Sequence, residues 1–277
     1  MLIAQLTDLH VRPRGRIAYE RVDTNAMLEA AIGHLSALDP GPDVVLMTGD
    51  LTDCGLIPEY ELLRELIAPL EAPVYLVPGN HDRRENLRAV FGDAGYLPAG
   101  GEFLHFTVED HPVRLIGLDT VVPGKGHGEM CAERLAWLEA RLEEDPERPT
   151  VLFLHHPPFA TGIPAMDTIG CRNAAAFGAV VARYPAIERV LCGHHHRPIQ
   201  ARWHGTLASV APSTAHQVEL DLSGRGQARF NMEPPGYQLH LWREGAGLSS
   251  HTVYVGAFEG PYPFLLDADY PAFAAES

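Results

Sequence analysis

Five short apolar runs in this chain each close on metal-ligating side chains, and that arrangement restricts the fold more than any other feature. LIAQL leads into Asp8 and His10, VVLM into Asp50, VYLV into Asn80, VLFL into an HHPP segment with His156, and RVLC into His194 and His196. If these residues meet, the runs must be strands whose carboxyl ends share one edge, which is where open α/β sheets bind ligands.

The intervening sequence agrees. Strands are predicted over 2–6, 44–47, 74–77, 103–108, 113–118, 151–154 and 189–192, and helices over 22–38, 58–70, 84–91, 132–142 and 173–184. Pro58 suits a first helical turn, and Asn173 suits an N-cap before an alanine-rich helix. Strands alternating with helices predict a largely buried sheet with helices outside, and unbroken apolar runs such as VVLM and VLFL suit strands covered on both faces. After about residue 198 helical periodicity stops and Gly, Pro, Trp and Tyr become common. Stretches 206–210, 238–242 and 252–255 read as strands of a second sheet or cap. Trp203, Trp242, Tyr254, Tyr262 and Phe264 read as an aromatic set of the kind that marks interfaces.

At 277 residues and 46% hydrophobic content, the chain is long enough for a sizeable core, in one large domain or two small ones. A formal net charge of −15 argues against a nucleic-acid groove or an anionic membrane surface. Cys54, Cys131, Cys171 and Cys192 show no CxxC spacing and read as reduced thiols. No signal peptide or membrane span is expected, which makes the expected location cytoplasmic.

Two carboxylates, one amide and four imidazoles can hold two metal ions side by side. Such a pair clamps a phosphate and makes hydroxide from water at neutral pH. The donors are all oxygen or nitrogen, which suits Fe, Mn, Zn or Co. Asp8 and His10 are two residues apart and would point the same way on extended chain, as would His194 and His196. Gly49, Gly79 and Gly193 stand where backbone must turn or pass close to an ion. Two divalent ions, two aspartates and one hydroxide sum to about +1, which a phosphodiester of charge −1 would neutralise.

The ordered set D-x-H, G-D, G-N-H-D, H-H-P and G-H-x-H resembles the calcineurin-like metallophosphoesterase superfamily, in particular its bacterial glycerophosphodiesterase and class III cyclic-nucleotide phosphodiesterase branch. The motifs span residues 8 to 196, and the likeness continues into MDTIGC and PSTAHQV. The resemblance implies an α/β fold, a four-layer αββα sandwich. Its catalytic core would run over 1–198, with the remaining strands and a small C-terminal cap or oligomerisation region over 199–277. It implies that Asp8, His10, Asp50 and His196 hold one ion and Asp50, Asn80, His156 and His194 the other, with Asp50 bridging. It also implies a homo-oligomer.

Among the neighbours of these ligands, His81 by resemblance faces the phosphate or the leaving group. Asp82 either orients His81 or caps the following helix. Strand alternation points His155 and His195 away from the metals, and Cys192 reads as strand core. His216 matches a substrate-pocket histidine of the glycerophosphodiesterases, and His127 stands in a glycine-rich loop, GKGHG, at a pocket border. The expected activity is hydrolysis of small phosphodiesters by metal-hydroxide attack on phosphorus. Asp50 and His81 are the catalytic pair, and Asn80, His81 and His216 meet the substrate. Glycerophosphodiesters come first and 3′,5′-cyclic nucleotides second; a phosphomonoesterase and a non-catalytic scaffold are the further alternatives.

Overall fold

The computed structural model describes residues 1–263. Its elements in chain order are β1 (Leu2–Leu6), α1 (Thr24–Ser36), β2 (Val44–Thr48), α2 (Ile57–Ile67), β3 (Val74–Val77), α3 (Arg84–Phe91), β4 (Phe106–Val108), β5 (Arg114–Leu118), β6 (Gly128–Glu129), α4 (Ala132–Glu143) and β7 (Thr150–Leu154). There follow α5 (Pro164–Asp167), β8 (Cys171–Arg172), α6 (Ala174–Val181), β9 (Ile187–Cys192), β10 (Ile199–Trp203), β11 (Thr206–Val210), β12 (Gln217–Val218), β13 (Phe230–Asn231), β14 (Gly236–Arg243) and β15 (Gly247–Tyr254). One sheet has the order β15-β14-β1-β2-β3 and the other β10-β11-β9-β7-β5-β4.

Side-chain alternation builds the layers. In the second sheet Leu115, Val151, Phe153 and Leu191 turn inward and join Ile3, Val45 and Leu76 in one core. Their neighbours Ile116, Leu152, Leu154 and Val190 turn outward under Leu138 of α4 and Phe177 of α6. Leu28 and Leu35 of α1, Leu63 of α2 and Leu87 of α3 cover the first sheet. The result is the expected helix–sheet–sheet–helix stack. β1, β2 and β3 run parallel, as do β5, β7 and β9, so the loops that follow β1, β2, β3, β7 and β9 emerge at the same edge.

The chain beyond residue 198 departs from a separate second sheet. β14 pairs antiparallel with β1, Leu2 opposite Leu241, and β15 adds to it, while β11 pairs parallel with β9. These strands complete the two existing sheets; among the described residues beyond 198, only the β12–β13 ribbon stands apart. The aromatic set also divides. Trp203 packs in the core under α6 and Trp242 against the first sheet, whereas Tyr254 and Tyr262 are exposed. Phe264 lies outside the described residues. Asn173 does not cap α6 through its side chain; at φ 59° it is left-handed, and its amide donates to Glu129 at 3.1 Å. The four cysteines are free thiols. No helix among the described residues is long and apolar enough to cross a membrane.

Candidate metal centre

Five of the residues at the shared edge have left-handed backbone: Asp8 (φ 53°), His10 (47°), Asp50 (46°), His194 (71°) and His196 (47°). None is glycine, and each such residue carries a conformational cost of order 1–3 kcal/mol that clusters at functional sites. The extended chain expected for the Asp8–His10 and His194–His196 pairs is therefore absent. Each strand ends first, and the kinked backbone aims the side chains. Two glycines make room for this. A Cβ at Gly79 would collide with the Asp50 amide and carboxylate, and one at Gly193 with Thr7 and the Thr48 carbonyl, where the two sheets close on each other.

The carboxylates are pinned by backbone donors. His194 N–H donates to Asp8 Oδ2 at 3.0 Å, and His81 N–H to Asp50 Oδ1 at 2.9 Å. Ligand atoms of Asp8, His10, Asp50 and His196 lie within 4.8 Å of one another, as do those of His155, His156 and His194. His155 Nε2 stands 3.4 Å from Asp50 Oδ2 and 3.1 Å from Asn80 Oδ1, so Asp50 lies between the two groups.

At HHPP, where the sequence reading puts His156 on the metal, the two histidines face different sides. His155 continues the inward parity of Val151 and Phe153, and its Nδ1 reaches the Thr48 carbonyl at 2.8 Å. His156 continues the outward parity of Leu152 and Leu154, and its Nδ1 meets Thr120 Oγ1 at 2.8 Å. Of the two, His155 is the one that meets Asp50 and Asn80.

The donors fit a metal. Four imidazoles each spend one ring nitrogen on an oxygen: His10 Nδ1 on Asp53 (3.2 Å), His155 Nδ1 on Thr48, His196 Nδ1 on the His216 carbonyl (2.9 Å) and His194 Nε2 on the Ile169 carbonyl (3.0 Å). That contact fixes the tautomer and leaves the other nitrogen as a lone pair, as metal-binding histidines require. His10 Nε2 and His196 Nε2 face each other at 3.3 Å. A proton on His196, which Asp8 favours, makes this a hydrogen bond to His10; with that proton displaced, two nitrogens about 2.0–2.1 Å from one ion stand about 3 Å apart at ordinary coordination angles.

Charge supports the same view. Burial alone would raise the Asp50 carboxyl, but His155, His81 and His10 outweigh it and hold it well below 3.8. Burial opposes protonation of His155, yet Asp50 and Asp8 dominate and raise it to about 9. Within the chain alone, protons on buried imidazoles balance the buried carboxylates. A bound cation would take over that balance and release protons.

Around this centre, His81 is one-third exposed in its side chain, and its Nδ1 meets the Asp53 carbonyl at 2.8 Å. Asp82 neither orients His81 nor caps α3. Buried, it accepts from Leu51 N, Thr52 N and Oγ1, Gly79 N and Tyr60 Oη, tying the Asp50 loop to the Asn80 loop. His195 is buried with neither ring nitrogen partnered, and Cys192 is core. Burial and the neighbouring His196 push His216 down to about 2, and its ring lies 5.0 Å from Phe230 and 5.2 Å from Tyr19. These three rings wall the cleft above the centre. The sequence reading missed Asp53 and Tyr19. Asp53 had one available signal, its place in the loop that carries Asp50.

Buried oxygen and nitrogen donors converging at sheet edges make a candidate metal centre, and the fold around it is that of a metallophosphoesterase, a class of phosphoester hydrolases. Residues 1–198 match the family model described as calcineurin-like phosphoesterase, and the chain belongs to that family. It is 41% identical to a probable glycerophosphodiester phosphodiesterase GpdQ from Arcobacter nitrofigilis, over 95% of this chain and 97% of that protein. It is 34% identical to the 3′,5′-cyclic adenosine monophosphate phosphodiesterase CpdA from Escherichia coli K12, over 78% of this chain and 77% of that one. A dimetal phosphatase from Danio rerio shares the fold with a TM-score of 0.63 at 13% identity, covering 92% of this chain and 99% of the other.

Proposed function

We propose that this enzyme is a binuclear metal-dependent phosphodiesterase for small phosphodiesters, with glycerophosphodiesters as the first substrate class. The observation that carries the reading is Asp50, buried between Asp8, His10 and His196 on one side and Asn80, His155 and His194 on the other. Those would be the two ligand sets, with Asp50 common to both and His155 in place of His156. Fe, Mn, Zn or Co would suit them.

Bound ions of this kind polarise phosphate oxygens and lower the pKa of coordinated water. The chain's residues supply the rest. Asn80 and His81 border the phosphate position. His81, whose Nδ1 donates to the Asp53 carbonyl and whose basicity the Asp50 carboxylate raises, would donate from Nε2, as the imidazolium, to the departing oxygen. The net reaction adds water across one ester bond: its oxygen joins phosphorus, the P–O bond to one alcohol breaks, and that alcohol leaves with a proton. Two divalent ions with Asp8, Asp50 and hydroxide sum to about +1, which suits a diester anion better than a dianionic monoester. The relative named for glycerophosphodiesters supports the first substrate class. A 3′,5′-cyclic nucleotide is the second reading, because Tyr19, His216 and Phe230 offer rings against which a base would stack.

The same proposal divides the chain near residue 198, places it in the cytoplasm and expects a homo-oligomer. Exposed Tyr254, Phe258 and Tyr262 support the last point. The deciding experiment compares kcat/KM for bis(p-nitrophenyl) phosphate and p-nitrophenyl phosphate under one metal condition. The diester should be the better substrate; a clear monoester preference would make the enzyme a phosphatase. On alkyl diesters, His81→Ala should lower kcat about 10²–10⁴-fold, with much smaller losses for p-nitrophenolate, a leaving group that needs little protonation. Equal losses would assign His81 to positioning.

A further inference from the structure

Asn80 and His81 line two clefts. The smaller, about 230 Å³, is the aromatic-walled mouth above Asp50, His194 and His196. The larger, about 550 Å³, opens on the other side of His81 and has no role in the chemistry so far. Its uncommitted charges are mainly cationic. Arg83 and Lys125 line it, and neither forms an ion pair among the described residues, unlike Arg84, which is bound to Asp119. Two of the acidic groups on its wall are engaged: Asp53 by Arg12 and His10, and Asp82 by its five donors. Glu85 is the remaining carboxylate, and it sits in the first turn of α3, where helix amides attract negative charge. Lys125 is the only lysine in the sequence, between Gly124 and Gly126 in a chain of net charge −15.

We propose that this second cleft receives the leaving alcohol of the diester, and that Arg83 and Lys125 bind a further anionic group, carboxylate or phosphate, carried on that alcohol. The inference rests on the phosphodiesterase reading above. His81 joins the clefts, so a phosphate held above Asp50 directs one ester arm along His81 to the cations and the other against the aromatic wall. In a chain of net charge −15, these two uncommitted cations are what would favour an anionic arm at this cleft.

Glycerophosphoserine and glycerophosphoethanolamine differ by one carboxylate on one alcohol, and the metal-loaded enzyme can be tested on both. Glycerophosphoserine should have the higher kcat/KM, mainly through KM. Arg83→Ala and Lys125→Ala should each shrink that preference about 1.5- to 5-fold, the range of one partly exposed charge contact. Lys125→Arg should retain it. A second readout is independent of turnover. In a brief reaction with an amine-selective acylating reagent, read by mass at the single lysine, glycerophosphoserine should slow Lys125 modification more than glycerophosphoethanolamine does. If both diesters are hydrolysed with equal kcat/KM, the substitutions leave the ratio unchanged and Lys125 is labelled equally with either, the cleft inference is overturned and the phosphodiesterase reading stands. If neither diester is hydrolysed by the wild-type enzyme, the phosphodiesterase reading itself fails.

Discussion

Asp50→Asn is expected to release bound metal on dialysis and to lose more than about 100-fold in kcat/KM, since even an outer partner of a metal ligand is worth 10–100-fold. The substitution keeps the shape and removes the charge. Asp50 is 2% exposed, its Oδ1 accepts the His81 amide at 2.9 Å, and its Oδ2 lies 3.4 Å from His155 Nε2 and 3.8 Å from His10 Nε2. An amide there offers one oxygen in place of two and leaves Asp8 as the only carboxylate among the proposed ligands. His34→Ala is the control, because His34 bonds Tyr237 at 2.9 Å on the far side of the first sheet. It should keep both metal and turnover. Two tightly held ions and near-normal turnover in Asp50→Asn would remove the binuclear assignment.

The adjacent histidines of HHPP should behave differently from each other. His155→Ala removes the ring that stands 3.1 Å from Asn80 Oδ1, and it should cost one metal equivalent and more than about 100-fold in activity. His156→Ala empties a buried site behind Thr120 and Gly128. It should keep both ions, hold activity within about 10-fold, and lose stability by roughly 2–4 kcal/mol, as for other buried side chains cut to alanine. Metal content by elemental analysis and denaturant midpoints separate the two. A lost metal equivalent in His156→Ala, with full content in His155→Ala, would reverse the assignment.

That pair also shows where sequence reasoning stops. Local signals were legible: apolar runs became β1, β2, β3, β7 and β9, and α3 occupies the residues its pattern indicated. Asp8, His10, Asp50, Asn80, His194 and His196 do meet at one edge, because parallel strands put their carboxyl ends together. Alternation along VLFLHH, however, gives two faces without saying which is interior. That depends on packing between sheets, where Phe153 contributes to one core and Leu154 to the other. Left-handed backbone at Asp8 and His196 was hidden for a similar reason, since surroundings rather than residue type enforce it. The pairing of β14 with β1 joins residues more than 230 apart, as Leu2 opposite Leu241 shows, and no local pattern encodes it.

Anomalous diffraction from crystals of the metal-loaded enzyme tests the central claim most directly. Two peaks bridged by the Asp50 carboxylate are expected. Asp8, His10 and His196 would contact one, and Asn80, His155 and His194 the other. A single peak, or a second peak held by His156 with His155 turned away, would contradict it.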